Sequence, residues 1–198
     1  MQTFLALGDS YTIGELVPLH ESFPYQALQL LRDGNLEFSA PEIVAKTGWT
    51  TDELLNHISS IKLSDQYSIV TLLIGVNNQY RGRSVESFIP ELNSLIEIAI
   101  NKSGNKKENV FLLSIPDWGV TPFAKEKDQQ KISLEMDQYN NACKNAAENF
   151  GIQFIDITAS QRLDNNKDGF LAEDNLHPSG KEYKKWAEVL VKRIKIIR

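Results

Sequence analysis

The feature that most constrains the fold is an alternation of short apolar segments with longer amphipathic ones. The short segments are rich in branched residues and do not alternate between polar and apolar positions; they are residues 3–8, 42–46, 67–75, 109–115 and 152–157. Such segments are typical of strands in a parallel sheet whose two faces are both covered. We therefore predict five buried strands in a mainly parallel sheet.

Between these strands, apolar residues recur at the three- and four-residue steps of an amphipathic helix. The pattern is clearest in residues 84–102, in residues 129–149 and from Tyr183 onward. Strands that alternate with helices predict the α/β class, here a three-layer α/β/α sandwich. The longest stretches predicted to be irregular are 116–128 and 158–178.

Length and composition favour one globular domain. The chain has 198 residues, and no segment has the composition of a linker, so we expect a single domain over residues 1–198. Its net charge of −5 argues against nucleic acid as a partner, because dedicated nucleic-acid binders are usually basic.

Cysteine usage and hydropathy bear on where the protein works. Cys143 is the only cysteine, which excludes an internal disulfide and fits a reducing compartment. It lies on the apolar stripe of its helix, so we expect a buried structural thiol. No apolar run has membrane-spanning length, and no basic segment precedes the first strand. We expect a cytoplasmic protein without stable membrane insertion; a secreted one would require that a signal peptide had been removed. The sequence leaves the oligomeric state open.

Residues able to contact a ligand follow several of the predicted strands. Ser10 follows the first strand in "GDSYTIG", Asn77 follows the third in "GVNN", and Trp118 follows the fourth in "PDWG". Ligands of open parallel sheets bind beyond the carboxyl ends of the strands, so we expect these residues to meet at one edge.

Ser10 and one histidine suggest nucleophilic catalysis. A serine hydroxyl needs a base to remove its proton, and a histidine oriented by a carboxylate is the usual solution. His177 in "AEDNLHPSG" follows Asp174 by three residues, whereas His20 lies in a loop and His57 in a short helix. The alternatives are that Ser10 only caps the following helix and that Asp174 and His177 are ordinary loop residues.

An acyl-transfer site also needs donors for the negative charge that develops on the carbonyl oxygen. The candidates are the backbone N–H groups of Ser10 and of Gly48 in "KTGWTT", and the side-chain amide of Asn77. The alternatives are an ordinary turn at Gly48 and a loop-stabilising role for Asn77.

Four blocks in this order resemble the SGNH family, also called GDSL hydrolases. "GDSYTIG" is similar to its first block with Ser10, "TGWTT" to its second with Gly48, "GVNN" to its third with Asn77, and "DNLHPS" to its last with Asp174 and His177. The resemblance implies a flavodoxin-like fold and a serine esterase that forms an acyl-enzyme on Ser10. It implies no metal and no organic cofactor.

The resemblance implies a small-molecule ester as substrate. Short-chain acyl esters, acetylated sugars, lysophospholipids and thioesters all fall within it, and acyl transfer to an alcohol is the nearest variant. Two positions depart from the usual blocks: Tyr11 stands where leucine is common, and Asn78 where aspartate is common. They bear on substrate preference more than on activity. The rival hypothesis is a catalytically silent, flavodoxin-like domain that binds a small ligand.

Two further segments allow a functional interpretation. Trp118 and Phe123 in "PDWGVTPFA" either anchor their loop on the core or form an apolar wall for the substrate. Residues 164–170 begin like a calcium-binding EF-hand loop, but the twelfth position holds Asn175 instead of glutamate. We therefore predict a polar turn at that segment.

Overall fold

A five-stranded sheet forms the centre of the protein. The computed structural model describes residues 1–164 and 167–196. Neighbouring strands are parallel at all four pairings, and the strand order is β2-β1-β3-β4-β5. The strands are β1 (Phe4–Gly8), β2 (Glu42–Ala45), β3 (Ile69–Leu73), β4 (Val110–Leu113) and β5 (Gln153–Ile155). The predicted α/β class and parallel sheet are confirmed.

Helices cover the sheet in two groups. They are α1 (Ser10–Ile13), α2 (Phe23–Asp33), α3 (Thr51–Ser60), α4 (Val76–Tyr80), α5 (Val85–Lys102), α6 (Gln129–Phe150), α7 (Thr158–Asp164) and α8 (Gly180–Ile196). Helix α2 packs against α8, whereas α5 packs against both α3 and α6. Every residue of β1, β3 and β4 is buried, as the uniformly apolar composition of these strands predicts.

The interior contains large aromatic side chains and the lone thiol. Trp186, Tyr139 and Tyr183 are among the largest fully buried side chains. Cys143 is also buried, as predicted, and burial raises the pKa of its thiol to about 12. In the described part of the chain, no helix is both long and apolar enough to cross a bilayer.

The structure corrects the prediction of irregular chain over 158–178. Helix α7 occupies Thr158–Asp164 at the start of that stretch. The carboxylate of Asp156 accepts a hydrogen bond from the backbone N–H of Ala159 at 3.1 Å. A carboxylate that satisfies a backbone donor at a helix start favours the helix there, although the segment has little apolar periodicity.

Candidate active site

The turn after β1 places Ser10 at the carboxyl edge of the sheet. A Cβ at Gly8 would lie 2.1 Å from Thr12 Oγ1 and 2.4 Å from the Leu73 carbonyl oxygen, so only glycine fits. Asp9 caps helix α1, because its carboxylate accepts a hydrogen bond from the Tyr11 backbone N–H at 3.0 Å. Ser10 is therefore the first residue of the helix and not its cap.

The side chains of Ser10, His177 and Asp174 form a continuous hydrogen-bonded chain. Ser10 Oγ lies 3.0 Å from His177 Nε2, and His177 Nδ1 lies 2.6 Å from Asp174 Oδ2. A carboxylate only accepts, so Nδ1 donates to it and Nε2 is left to accept the serine proton. The structure thus brings Ser10 into contact with His177, although the two residues are far apart in the sequence.

Asp174 is held as a carboxylate. Burial alone would raise its pKa, but hydrogen bonds from the His177 ring and from the backbone N–H groups of His177 and Leu176 outweigh that effect. The net result is a pKa below the ordinary value for aspartate. The ring of His177 therefore faces a fixed negative charge on one side and the Ser10 hydroxyl on the other.

Gly48 and Asn77 line the same cleft as Ser10 and His177. Gly48 has a φ of +84°, a conformation that favours glycine, and its carbonyl accepts a hydrogen bond from Arg81 Nη2 at 2.5 Å. The amide Nδ2 of Asn77 donates to the Trp49 carbonyl at 3.0 Å. An amide nitrogen has two donors, so the second N–H of Asn77 remains for a ligand.

The cleft has a volume of about 220 Å³ and one side of it is apolar. Trp118 and Phe123 both line it, and the prediction that they form a wall for the substrate stays a prediction. Trp118 is buried and anchors the loop, whereas Phe123 is 41% exposed at the rim. Further lining residues that the sequence did not single out are Thr47, Val76, Tyr80 and Leu176.

The two residues that depart from the usual blocks have defined contacts. The Tyr11 ring packs on His177, with ring centroids 5.2 Å apart. Asn78 is buried: its Oδ1 accepts from the Thr51 N–H at 3.1 Å and its Nδ2 donates to Thr51 Oγ1 at 2.7 Å. Tyr11 thus borders the cleft, whereas Asn78 joins the start of α3 to α4.

The other two histidines lie outside this arrangement. The His57 ring packs on Trp49, with centroids 4.7 Å apart, and His20 lies 3.9 Å from the exposed carboxylate of Glu21. Neither lines the cleft.

No metal centre is found in the described residues, because no three His, Cys, Asp or Glu side chains are grouped to hold an ion. The predicted polar turn over 164–170 is described only in part: Asn165 and Asn166 lie outside the described residues. Asp164, at its start, pairs with Lys167 and Lys185.

One protein-family model matches most of this chain. The family model described as GDSL-like Lipase/Acylhydrolase matches residues 6–185. A sequence comparison with curated proteins finds no significant match.

Solved structures share the fold at low sequence identity. The lipase/acylhydrolase from Enterococcus faecalis is 22% identical, with a TM-score of 0.77 and coverage of 100% of this chain and 97% of that one. Axe2, an acetylxylan esterase from Geobacillus stearothermophilus, is 19% identical, with a TM-score of 0.77 and coverage of 98% and 94%. The esterase EstA from Pseudoalteromonas sp., in a structure inhibited by monoethylphosphonate, is 16% identical, with a TM-score of 0.73 and coverage of 100% and 98%.

Proposed function

This chain belongs to the GDSL-like lipase/acylhydrolase family, and from that we propose that it is a serine esterase that cleaves carboxylic esters through an acyl-enzyme on Ser10. The observation that carries the proposal is the chain of hydrogen bonds from Ser10 through His177 to Asp174, at 3.0 Å and 2.6 Å. The nucleophile contacts the base and the base contacts the orienting carboxylate, as acyl transfer requires.

In the first half of the reaction, Ser10 Oγ attacks the ester carbonyl carbon while His177 Nε2 takes the serine proton. The Asp174 carboxylate stabilises the imidazolium that results. The tetrahedral intermediate then breaks its bond to the alcohol oxygen, which receives the proton from His177. An ester of Ser10 remains, and water attacks it by the same steps with His177 again as the base.

Three donors would stabilise the negative charge on the intermediate: the N–H groups of Ser10 and Gly48 and the free amide N–H of Asn77. All three residues line the cleft. Ser10 also begins helix α1, where the backbone dipoles favour negative charge. Donors that are already oriented do not have to reorganise as the charge develops, which makes them effective in catalysis.

The substrate is a small-molecule ester that fits a compact, partly apolar cleft. Short-chain acyl esters, acetylated sugars, lysophospholipids and thioesters are the candidate classes, and the acetylxylan esterase among the structural relatives agrees with the second of them. No observation favours the rival hypothesis of a silent binding domain, since every group of the proposed mechanism is present.

The decisive experiment combines one variant with one covalent probe. We expect Ser10→Ala to lower kcat for chromogenic esters by about 10⁴- to 10⁶-fold, because the triad acts as a unit. A serine-directed phosphonate should add its mass to Ser10 in the wild-type protein.

Ser22→Ala is the matched control, since Ser22 is also buried but donates its hydroxyl to the Leu19 carbonyl. The control should keep wild-type activity. A folded Ser10→Ala variant with wild-type turnover, or a phosphonate adduct at another serine, would refute the assignment.

A further inference from the structure

Three aromatic residues, Tyr80, Trp118 and Phe123, form one side of the cleft, and we call them the aromatic wall. Trp118 lies at its centre and is only 4% exposed. The rings of Tyr80 and Phe123 meet it edge-on, with centroids 5.2 Å and 6.1 Å from that of Trp118. Edge-to-face contacts of this kind favour a fixed arrangement of the rings.

A hydrogen-bonded relay behind the wall fixes the orientation of Trp118. Its indole N–H donates to Gln79 Oε1 at 2.6 Å, and Gln79 Nε2 donates to Glu135 Oε2 at 2.7 Å. The indole can only donate and the carboxylate can only accept, so the Gln79 amide has one satisfactory orientation. Trp118 therefore cannot turn away from the cleft without leaving its indole N–H and the Gln79 amide unpaired.

The wall is also tied to the loop that holds the proposed base. The backbone N–H of Phe123 donates to the carbonyl of Asn175 at 3.2 Å, and Asn175 directly follows Asp174. Leu176, the next residue, lines the cleft beside the wall. The far side of the cleft is thus fixed relative to Ser10 and His177.

The size of the cleft limits what can occupy it. Its volume of about 220 Å³ includes the space next to Ser10. This volume is below the roughly 300–1,000 Å³ of pockets that enclose drug-sized ligands, so the cleft suits a short acyl group better than a long chain.

We propose that the protein is selective for esters of short acyl chains, with Trp118 as the specificity-determining residue and Gln79 as the residue that positions it. This inference rests on the proposed function, since it concerns the same site. The acyl group is assigned to the side of the aromatic wall because it stays on Ser10 after the first step, whereas the alcohol must leave to solvent.

The test is a series of p-nitrophenyl esters from acetate to decanoate. For the wild-type protein, kcat/KM should be higher for the short acyl chains of the series than for the long ones. Trp118→Ala should raise the ratio of kcat/KM for decanoate to that for acetate by at least about tenfold, because space for even one methylene group changes this ratio measurably. Trp118→Leu is the less disruptive second variant and should shift the ratio in the same direction.

The positioning role of Gln79 is tested by exchanging the partners of the relay. Gln79→Leu should broaden the chain-length profile, because it leaves the indole N–H without an acceptor. Gln79→Glu alone places two carboxylates together and should do the same. In the double variant Gln79→Glu with Glu135→Gln, the carboxylate at position 79 can accept from both the indole N–H and the amide at position 135. Both hydrogen bonds of the relay are then satisfied, and the variant should recover the wild-type profile.

Phe150→Ala is the control, since Phe150 packs on the core and does not line the cleft. If folded Trp118→Ala and Trp118→Leu variants keep the wild-type profile, the inference is overturned. The same variants are also assayed with acetate esters of alcohols of increasing length, and a change confined to that series overturns the assignment of the acyl group. A wild-type protein that hydrolyses no ester overturns the proposed function, and this inference with it, whereas the other outcomes leave the function standing.

Discussion

The carboxylate of Asp174 accepts three hydrogen bonds, two from backbone N–H groups and one from the His177 ring. These bonds hold its pKa below the ordinary value for aspartate in spite of partial burial. The sign of the shift means that Asp174 stays charged as the solution is acidified. We therefore expect Asp174 to remain a carboxylate, and to keep its hydrogen bond from the His177 ring, down to a lower pH than an ordinary aspartate would.

Replacing Asp174 tests that view of the carboxylate. Asp174→Asn keeps the shape but removes the charge, so the imidazolium is no longer stabilised and the ring can adopt the wrong tautomer. We expect kcat to fall by about 10⁴-fold, as the charge-removing change does in serine-protease triads, while KM changes little. The measurement is kcat against pH for the variant and the wild-type protein.

His20→Ala and His57→Ala serve as controls for that experiment, because neither histidine lines the cleft. Both should keep most of the activity, whereas His177→Ala should not. Comparable losses in all three folded histidine variants would show that His177 is not the base.

Among the secondary-structure elements, the short helix α4 organises the loop that follows β2. Asn77 donates a hydrogen bond to the Trp49 carbonyl, and Asn78 accepts one from the Thr51 N–H. Arg81, just beyond the helix, donates one to the Gly48 carbonyl. Arg81 Nη1 also pairs with Glu53 at 3.2 Å. The conformation of Gly48, a proposed donor to the substrate, thus depends on contacts from the segment that follows β3.

Arg81→Ala should reveal that dependence. The variant loses the bond to the Gly48 carbonyl, so the proposed donor at Gly48 is less well oriented when charge develops. We expect kcat to fall by about tenfold with KM nearly unchanged, and Arg81→Lys to recover part of the loss.

Arg83→Ala is the matched control, since Arg83 pairs with Asp52 at 2.6 Å and does not line the cleft. It removes a partly exposed ion pair of the kind that contributes little to stability. Equal kcat in the two alanine variants would contradict the orienting role of Arg81.

The structure also shows what could be read from the sequence and what could not. The strands were predictable because apolar, branched runs have few other uses in a folded chain. Their ends were not: β3, predicted over 67–75, ends at Leu73, because Gly75 adopts a φ of +129° and α4 follows. Helices α1, α4 and α7 have four to seven residues, too few turns to show a period.

The same division holds for the site. Ser10, Gly48, Asn77, Asp174 and His177 lie in motifs that can be recognised one by one, and the structure places all five around one cleft or its hydrogen-bonded chain. Tyr80 and Leu176 have no such motif. Their positions follow from how a short helix and a loop pack together, which no local pattern encodes.

The stability of the folded protein should depend on the ionisation of Asp9, one of its buried acids. Asp9 is 1% exposed, and burial raises the pKa of its carboxyl group to about 7, although backbone hydrogen bonds from Tyr11 and Asp9 partly oppose the shift. Its pKa in the unfolded chain is near 3.8. A raised pKa contributes stability that is fully present below the unfolded value and is lost as the pH rises through the folded value.

Asp9→Asn should remove this loss, because asparagine caps a helix as well as aspartate and does not ionise. We expect the difference in free energy of unfolding between the variant and the wild-type protein to increase, in favour of the variant, by a few kcal/mol between about pH 4 and about pH 7. Above that range the difference should stay constant. Urea unfolding at several pH values measures this difference. Asp65→Asn is the control, because Asp65 is exposed. A difference that does not change with pH would contradict the prediction.

The hydrogen bond between Ser10 and His177 joins residues 167 positions apart. Helix α8, which follows His177, packs against α2, and Gln26 of α2 donates to the Gly180 carbonyl where α8 begins. During refolding, closing so long a loop costs conformational entropy. The packing of α2 against α8 offsets that cost only once the two helices have docked. Recovery of esterase activity should therefore lag behind recovery of helical circular dichroism. The regain of turnover would then measure when the contact between Ser10 and His177 forms.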